Sequence, residues 1–236
     1  MTQPTTSYTF FAFYKRIGER VFNTETPTET DLTDSKRFVN EGYQTFLQSY
    51  NWSFMYPTAS LTVAADDSEI DLPDNFGAIR GKVSRSADSQ YNGLIEVAPD
   101  EIRRRRALND LSSIPFLYAL SPKAFVTATG QQWEMLIYPK SESEITLAFQ
   151  YRVCANLLSA DADYPLGGSL HSMTILQFAY AVWEQEKDGT DSIQSKNAQE
   201  ALQRSIRIDN SFRSSIVNSG RQEQPVRVYP SIAGVE

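Results

Sequence analysis

Two side chains dominate a search for chemistry in this sequence: His171, the only histidine, and Cys154, the only cysteine. An imidazole beside a thiol makes a nucleophile–base pair, and either group ligates zinc. Neither lies in a ligand-spacing motif. His171 opens a helical stretch next to Ser169 and Ser172, where a surface or capping role is the ordinary expectation. Cys154 follows the strand-like FQYRV and is expected to pack as a small hydrophobe. A hydrolytic alternative needs paired carboxylates, and Asp161, Asp163 and Asp188 fall in loop-like stretches, as carboxylates do in most soluble proteins. Gly167-Gly168 lacks the lysine and preceding strand of a phosphate loop and reads as a turn ahead of a long helix. No catalytic, cofactor-binding or metal-binding residue is expected.

The most conspicuous run is Arg103, Arg104, Arg105 and Arg106. It suits three roles: a solvated helix turn partly neutralised by Asp100, Glu101 and Asp110, an intersubunit contact to an acidic neighbour, or a grip on nucleic-acid phosphates. Four consecutive arginines point all around a helix and form no single DNA-facing stripe. The net charge of −7 also opposes non-specific nucleic-acid binding, which needs a basic face. Aromatic residues near the strands, including Trp52, Trp133, Phe149 and Tyr151, are expected to pack in a core, and pattern alone does not separate that from a sugar-stacking platform.

These residues need elements to position them. With 236 residues, 41% hydrophobic and 22% charged, the chain has globular composition and enough length to bury a core. The longest apolar runs, 10–14 and 178–183, are far short of a membrane span. The N-terminus does not read as a secretory signal, and a lone cysteine suits a reducing cytoplasm.

Periodicity divides the chain. In residues 1–50, Phe11, Tyr14, Ile17, Gly18, Val21 and Phe22 mark one helix face; after a Thr-rich break, Asp31 or Thr33 caps a second helix striped by Phe38, Val39, Gly42, Phe46 and Leu47. In 51–165 short β-type runs alternate with turns: 60–65 turning at 66–68 and returning as 69–72, then 79–84, 91–97, 116–120, 124–129, 132–138 and 144–152. A helix interrupts them at 99–110, where Pro99 and two acids suit its N-terminus. In 166–220, Met173, Leu176, Ala179, Tyr180 and Trp183 stripe a helix that breaks at Asp188-Gly189. Ser192 caps another carrying Ala198, Ala201, Leu202, Ser205 and Ile208. The remainder, 221–236, is an extended arm that cannot build its own core. The expected fold is α+β: a helical bundle made from both chain ends, with an inserted antiparallel β-sandwich or barrel.

The order KRFVNEGYQTFLQSYNWSFM, SLTVAADDSEIDLPDNF, APDEIRRRRALND, PFLYAL, QWEMLIYPKSESEITLAFQYRV and LSADADYPL resembles the head-to-tail adaptor proteins of short-tailed bacteriophages, which are related to the tail tubular protein A group. The resemblance covers residues 9–209. Its motifs are loose: an asparagine-containing helix ending at Trp52, the LPDNF at 72–76, and Tyr138-Pro139 closing a strand. It implies a virion protein without catalysis that assembles as a dodecamer ring under the portal protein. Such a ring extends the DNA channel, lets DNA pass unbound, and offers a platform for tail nozzle and tail fibre proteins. The arm, 224–236, is implied to reach the portal, with Val226, Val228 and Tyr229 adding strand-like pairing. The competing expectations are a glycan- or receptor-binding β-module centred on Trp133, and a hydrolase using Cys154 or carboxylates.

Overall fold

A computed structural model describes residues 3–24, 26–85, 93–188 and 193–217. The expected Gly189 break, the Ser192 cap and the arm with Val226, Val228 and Tyr229 lie outside the described residues. Along the chain come helices α1 (Phe10–Val21) and α2 (Glu29–Gln48), a 3₁₀ turn (Ser53–Met55), and strands β1 (Thr58–Val63), β2 (Glu69–Asp71), β3 (Phe76–Arg85) and β4 (Ile95–Glu96). Helix α3 (Pro99–Leu108) leads to β5 (Ser112–Ser113), β6 (Leu117–Pro122), β7 (Trp133–Tyr138), β8 (Lys140–Ser141) and β9 (Ile145–Val153). Helices α4 (Ser172–Asp188) and α5 (Ile193–Val217) follow.

Local chemistry sets the first two helices. The Thr9 hydroxyl caps α1 by accepting from the Ala12 amide at 3.3 Å. The buried face is then Phe10, Phe13, Tyr14, Ile17 and Gly18. Phe11, placed on that face by its spacing, is instead 45% exposed. FFAFY puts rings on every side of the helix, so periodicity alone does not choose the arc; the larger cluster wins the core. Helix α2 starts three residues before the expected Asp31 cap, at a capping box. Thr28 Oγ1 accepts from the Asp31 amide (3.3 Å) while the Asp31 carboxylate accepts from the Thr28 amide (2.9 Å). Thr33 lies inside the helix, its hydroxyl donating to the Glu29 carbonyl.

The helices from the two chain ends share one core. Phe38, Val39, Tyr43, Phe46 and Leu47 of α2 pack with Ile175, Leu176, Ala179 and Tyr180 of α4 and with the α1 rings. Helix α5 packs on α4, burying Ala198 and Ser205. Met173, expected in the α4 stripe, is exposed, and Ile175 occupies the core instead. Gly42 permits the closest approach: a methyl group there would sit 2.5 Å from the Ala179 backbone nitrogen.

The strands form two main sheets, ordered β1-β9-β3 and β2-β7-β6-β4. Val63, Phe76, Val83, Leu147, Phe149 and Tyr151 of the first sheet pack against Tyr118, Met135 and Ile137 of the second, giving the two-layer arrangement of a sandwich. Runs 60–65 and 69–72 do not return on each other. Beyond the turn at Asp66 (φ 64°), β1 pairs with β9 and β2 with β7, in different sheets. The expected strand at 124–129 is a turn, closed by Gly130 N donating to Val126 O at 2.7 Å. Gly130 at φ 73° bends that chain before a ladder can form. Pairing is not wholly antiparallel, because α3 is the crossover that brings β4 parallel to β6.

Gly42→Ala is expected to destabilise the fold by about 2–3 kcal/mol, since backbone rather than a pliable side chain faces the new methyl. Urea denaturation measures it. A loss under about 1 kcal/mol would show that the two helices do not approach so closely.

Candidate functional site

Of the two residues singled out for chemistry, His171 is built into the core and Cys154 is exposed. His171 is not at the surface but 3% exposed, its ring 5.1 Å from Trp52, 5.3 Å from Phe54 and 5.7 Å from Phe46. The cause is the glycine pair before it. With φ values of 98° and 63°, Gly167 and Gly168 turn residue 171 inward, and a Cβ on Gly167 would press on His171 Cδ2 at 3.1 Å. The imidazole Nδ1 is buried without a hydrogen-bond partner among the described residues. Burial holds its pKa below the usual 6.5, with Asp209 opposing that shift. Cys154 is exposed rather than packed, because it follows the inward-facing Val153 of β9 by one residue. Its Sγ lies 3.9 Å from the Phe76 carbonyl.

Two of the three loop carboxylates have defined partners, while Asp188 is the last residue of α4. Asp163 accepts from the Ser159 and Ala160 amides at 2.9 and 2.7 Å, which hold it below the ordinary carboxylate range. Asp161 accepts from Tyr14 Oη at 2.9 Å, and burial, with that hydrogen bond, pushes the phenol up to about 12. Among the described residues no group of three or more His, Cys, Asp or Glu could hold a metal ion. The expected stacking platform is mostly core: Trp52, Phe149 and Tyr151 are buried, and Trp133 is half-buried 6.5 Å from Phe76.

The arginine run lies on α3, which is pinned to the second sheet by Ile102 packing on Ala119 and Leu136. Arg103 pairs with Asp100 at 3.1 Å. Arg104 and Arg105 share Glu101 at 2.7 and 2.6 Å and hold that carboxyl below its usual range. Asp110 pairs with Lys140 instead. Arg106 differs from its neighbours: its side chain is 16% exposed and reaches Glu69 at 3.0 Å. It also donates to the Ser68 and Ile137 carbonyls at 2.5 and 3.1 Å, stitching α3 to the β2–β7 edge.

Beside this helix runs an apolar strip. The segment following α3 is tied to the 138–142 edge: Lys140 donates to Leu111 O (3.1 Å), Glu142 to Ser113 O (3.2 Å) and Phe116 to Tyr138 O (3.1 Å). It leaves Leu108, Leu111, Ile114 and Phe116 exposed, with Ile95 alongside through its amide bond to Phe116 O. Several large apolar groups exposed within one stretch, 108–116, suit a protein partner better than a small molecule.

Sequence reading missed a polar clamp at the other end. Asp209, 1% exposed, accepts from the Ser53 amide (3.0 Å), the Ser53 hydroxyl (2.5 Å) and Arg213 Nε (2.9 Å). Arg213 also donates to the Asn51 carbonyl, and Tyr50 to Asn210 Oδ1 at 2.8 Å. The clamp fixes the last described turns of α5 against the α2–β1 connection. The only local signal was the i,i+4 Asp–Arg spacing.

The family model described as SU10 adaptor protein matches residues 9–229. The chain belongs to the SU10 adaptor protein family. The match takes in every helix and strand described above and continues through Val226, Val228 and Tyr229. No curated protein matches the chain.

Two outcomes test this geometry. Arg106→Ala is expected to cost about 2 kcal/mol, because it removes the donor to the Ile137 carbonyl and the tie to Glu69 and Ser68, whereas Arg104→Ala changes stability by less than about 0.5 kcal/mol. Equal effects in denaturation would contradict the stitch. For His171 the unfolded chain takes up a proton that the folded chain refuses. Stability is therefore full above pH 6.5 and falls as the pH drops from there toward the lowered folded value. Comparing unfolding at pH 7.5 and 5.5, the wild type should lose more stability than His171→Gln; parallel losses would remove His171 as the cause.

Proposed function

We propose that this protein is a bacteriophage virion component, a head-to-tail adaptor that forms a homo-oligomeric ring beneath the portal protein. The family match over residues 9–229 carries the reading. In this reading the ring is a dodecamer that extends the DNA channel, presents a docking platform for tail nozzle and tail fibre proteins, and catalyses nothing. Residues 1–50 and 166–220 make the bundle, 51–165 the inserted β-domain, and 221–236 the portal-binding arm.

The surface is compatible with such a role. The exposed strip of Leu108, Leu111, Ile114 and Phe116 lies beside Arg103, Arg104, Arg105 and Arg106, and we assign this region to the contact between neighbouring copies. The contact would be heterologous, because a ring closes by joining two different patches. Arg103, Arg104 and Arg105 are paired within their own helix, Arg106 with Glu69 of β2, and the net charge is −7. Both leave passing DNA without a cationic wall to bind. Val226, Val228 and Tyr229, in the arm, would pair with a portal strand edge through main-chain hydrogen bonds.

Electron microscopy of the protein mixed with its cognate portal, full-length and truncated after Gly220, tests both parts. A closed ring on the portal that disappears with the truncation is the expected result. No complex with either form would remove the adaptor reading, and a ring surviving truncation would remove the arm.

A further inference from the structure

Four described strands end the two main sheets, and three of the edges are guarded. Edge β3 carries two register breaks, Gly81 at φ 81°, and Arg80, Lys82 and Arg85. Edge β2 has only three residues and two of them are acidic; edge β4 has two residues, one acidic. Short, charged or bulged edges are how soluble β-proteins prevent unwanted strand addition. Edge β1 has none of these devices. Thr58–Val63 is six residues long, without charge, proline or bulge, and pairs in unbroken register with β9 alone among the described strands. Left open, it would pair with β1 of another copy. That contact is two-fold and competes with a heterologous ring.

The chain holds a segment suited to cover it. Pro225-Val-Arg-Val-Tyr-Pro230 alternates β-branched and other side chains between two prolines, which limit pairing to the residues between them. Its departure point is nearby. The clamp of Asp209 on Ser53 and Arg213 on Asn51 holds the last described turns of α5 against the connection into β1, with Thr58 five residues beyond Ser53. The eight residues 218–225 reach about 26 Å when extended.

We propose that in the isolated protein the free edge of β1 is a docking strand occupied by the chain's own residues 225–230. The covered edge keeps free copies from joining β1 to β1. The proposal goes beyond the adaptor reading and is read without portal, so the two fail separately.

Hydrogen exchange by mass spectrometry on the full chain, on the chain truncated after Gly220, and on full-length Val228→Pro tests it, with β9 amides as the internal reference. The edge-facing amides of 58–63 should exchange about tenfold more slowly in the full chain than in either variant, at every protein concentration, while β9 is unchanged. Equal rates in all three would overturn the proposal. So would protection that survives Val228→Pro, or protection that grows with concentration, which would make a second copy the occupant.

Discussion

The fold depends on one close crossing. At Gly42 the backbone of α2 meets the backbone of α4 at Ala179, with no room for a methyl group between them. Helices so far apart in sequence touch this closely only if everything between them leaves and returns at one place. The geometry is enforced from both sides. Asn40 of α2 exchanges two hydrogen bonds with the Leu158 backbone, at 3.1 and 2.9 Å, and Tyr43 Oη accepts from the Leu166 amide at 2.9 Å. The start of α1 completes the collar, its Phe10 and Phe11 amides donating to Asp163 and Asp161 carbonyls. The returning connection is thus held by the helices that began the chain.

Given that collar, the polar interior has a clear division of labour. Thr174 and Ser205 share a buried hydrogen bond at 2.7 Å between α4 and α5, and the Asp209 carboxylate joins α5 to the connection that enters the sheets. A buried carboxylate is tolerated only when donors surround it, and here an amide, a hydroxyl and a guanidinium do so. The surface pair between Arg37 and Glu186, at 2.6 and 2.8 Å, adds a bidentate tie between α2 and α4 but is solvent-screened. Packing and buried polar groups, not surface charge, determine where the helices lie.

The sequence revealed these features unevenly, for physical reasons. Helix α2 was legible because Phe38, Val39, Gly42, Phe46 and Leu47 form one apolar stripe on an otherwise polar helix. Helix α1 was legible as a helix but not in its facing, since Phe10, Phe11, Phe13 and Tyr14 surround it. Most strands were located, although 124–129 is a turn and the short β5 and β8 were not anticipated; β1 and β2 alternate alike whichever sheet they join, so their partners β9 and β7 could not be read. His171 looked like a surface residue because only the left-handed turn of Gly167 and Gly168 carries it inward. The Asp209–Ser53 clamp joins residues 156 apart, a separation over which pattern says nothing. The family, by contrast, was visible in the order of weak pieces, each too loose to identify anything alone.

The charge pattern bears on how such a surface binds. Arg103, Arg104 and Arg105 already have acidic partners on their own helix, and Arg106 is committed to strand carbonyls. Recruiting them to a neighbour would first break those pairs, so the net gain from new ion pairs is small. What remains for specific contact is apolar, in Leu108, Leu111, Ile114 and Phe116, or main-chain, at the edge of β1. Apolar burial and backbone hydrogen bonds are little screened by salt, whereas exposed ion pairs are. A joint built from them would hold as ionic strength varies. It would also leave the charged side chains of β2, β3 and β4 to guard those edges against strand addition.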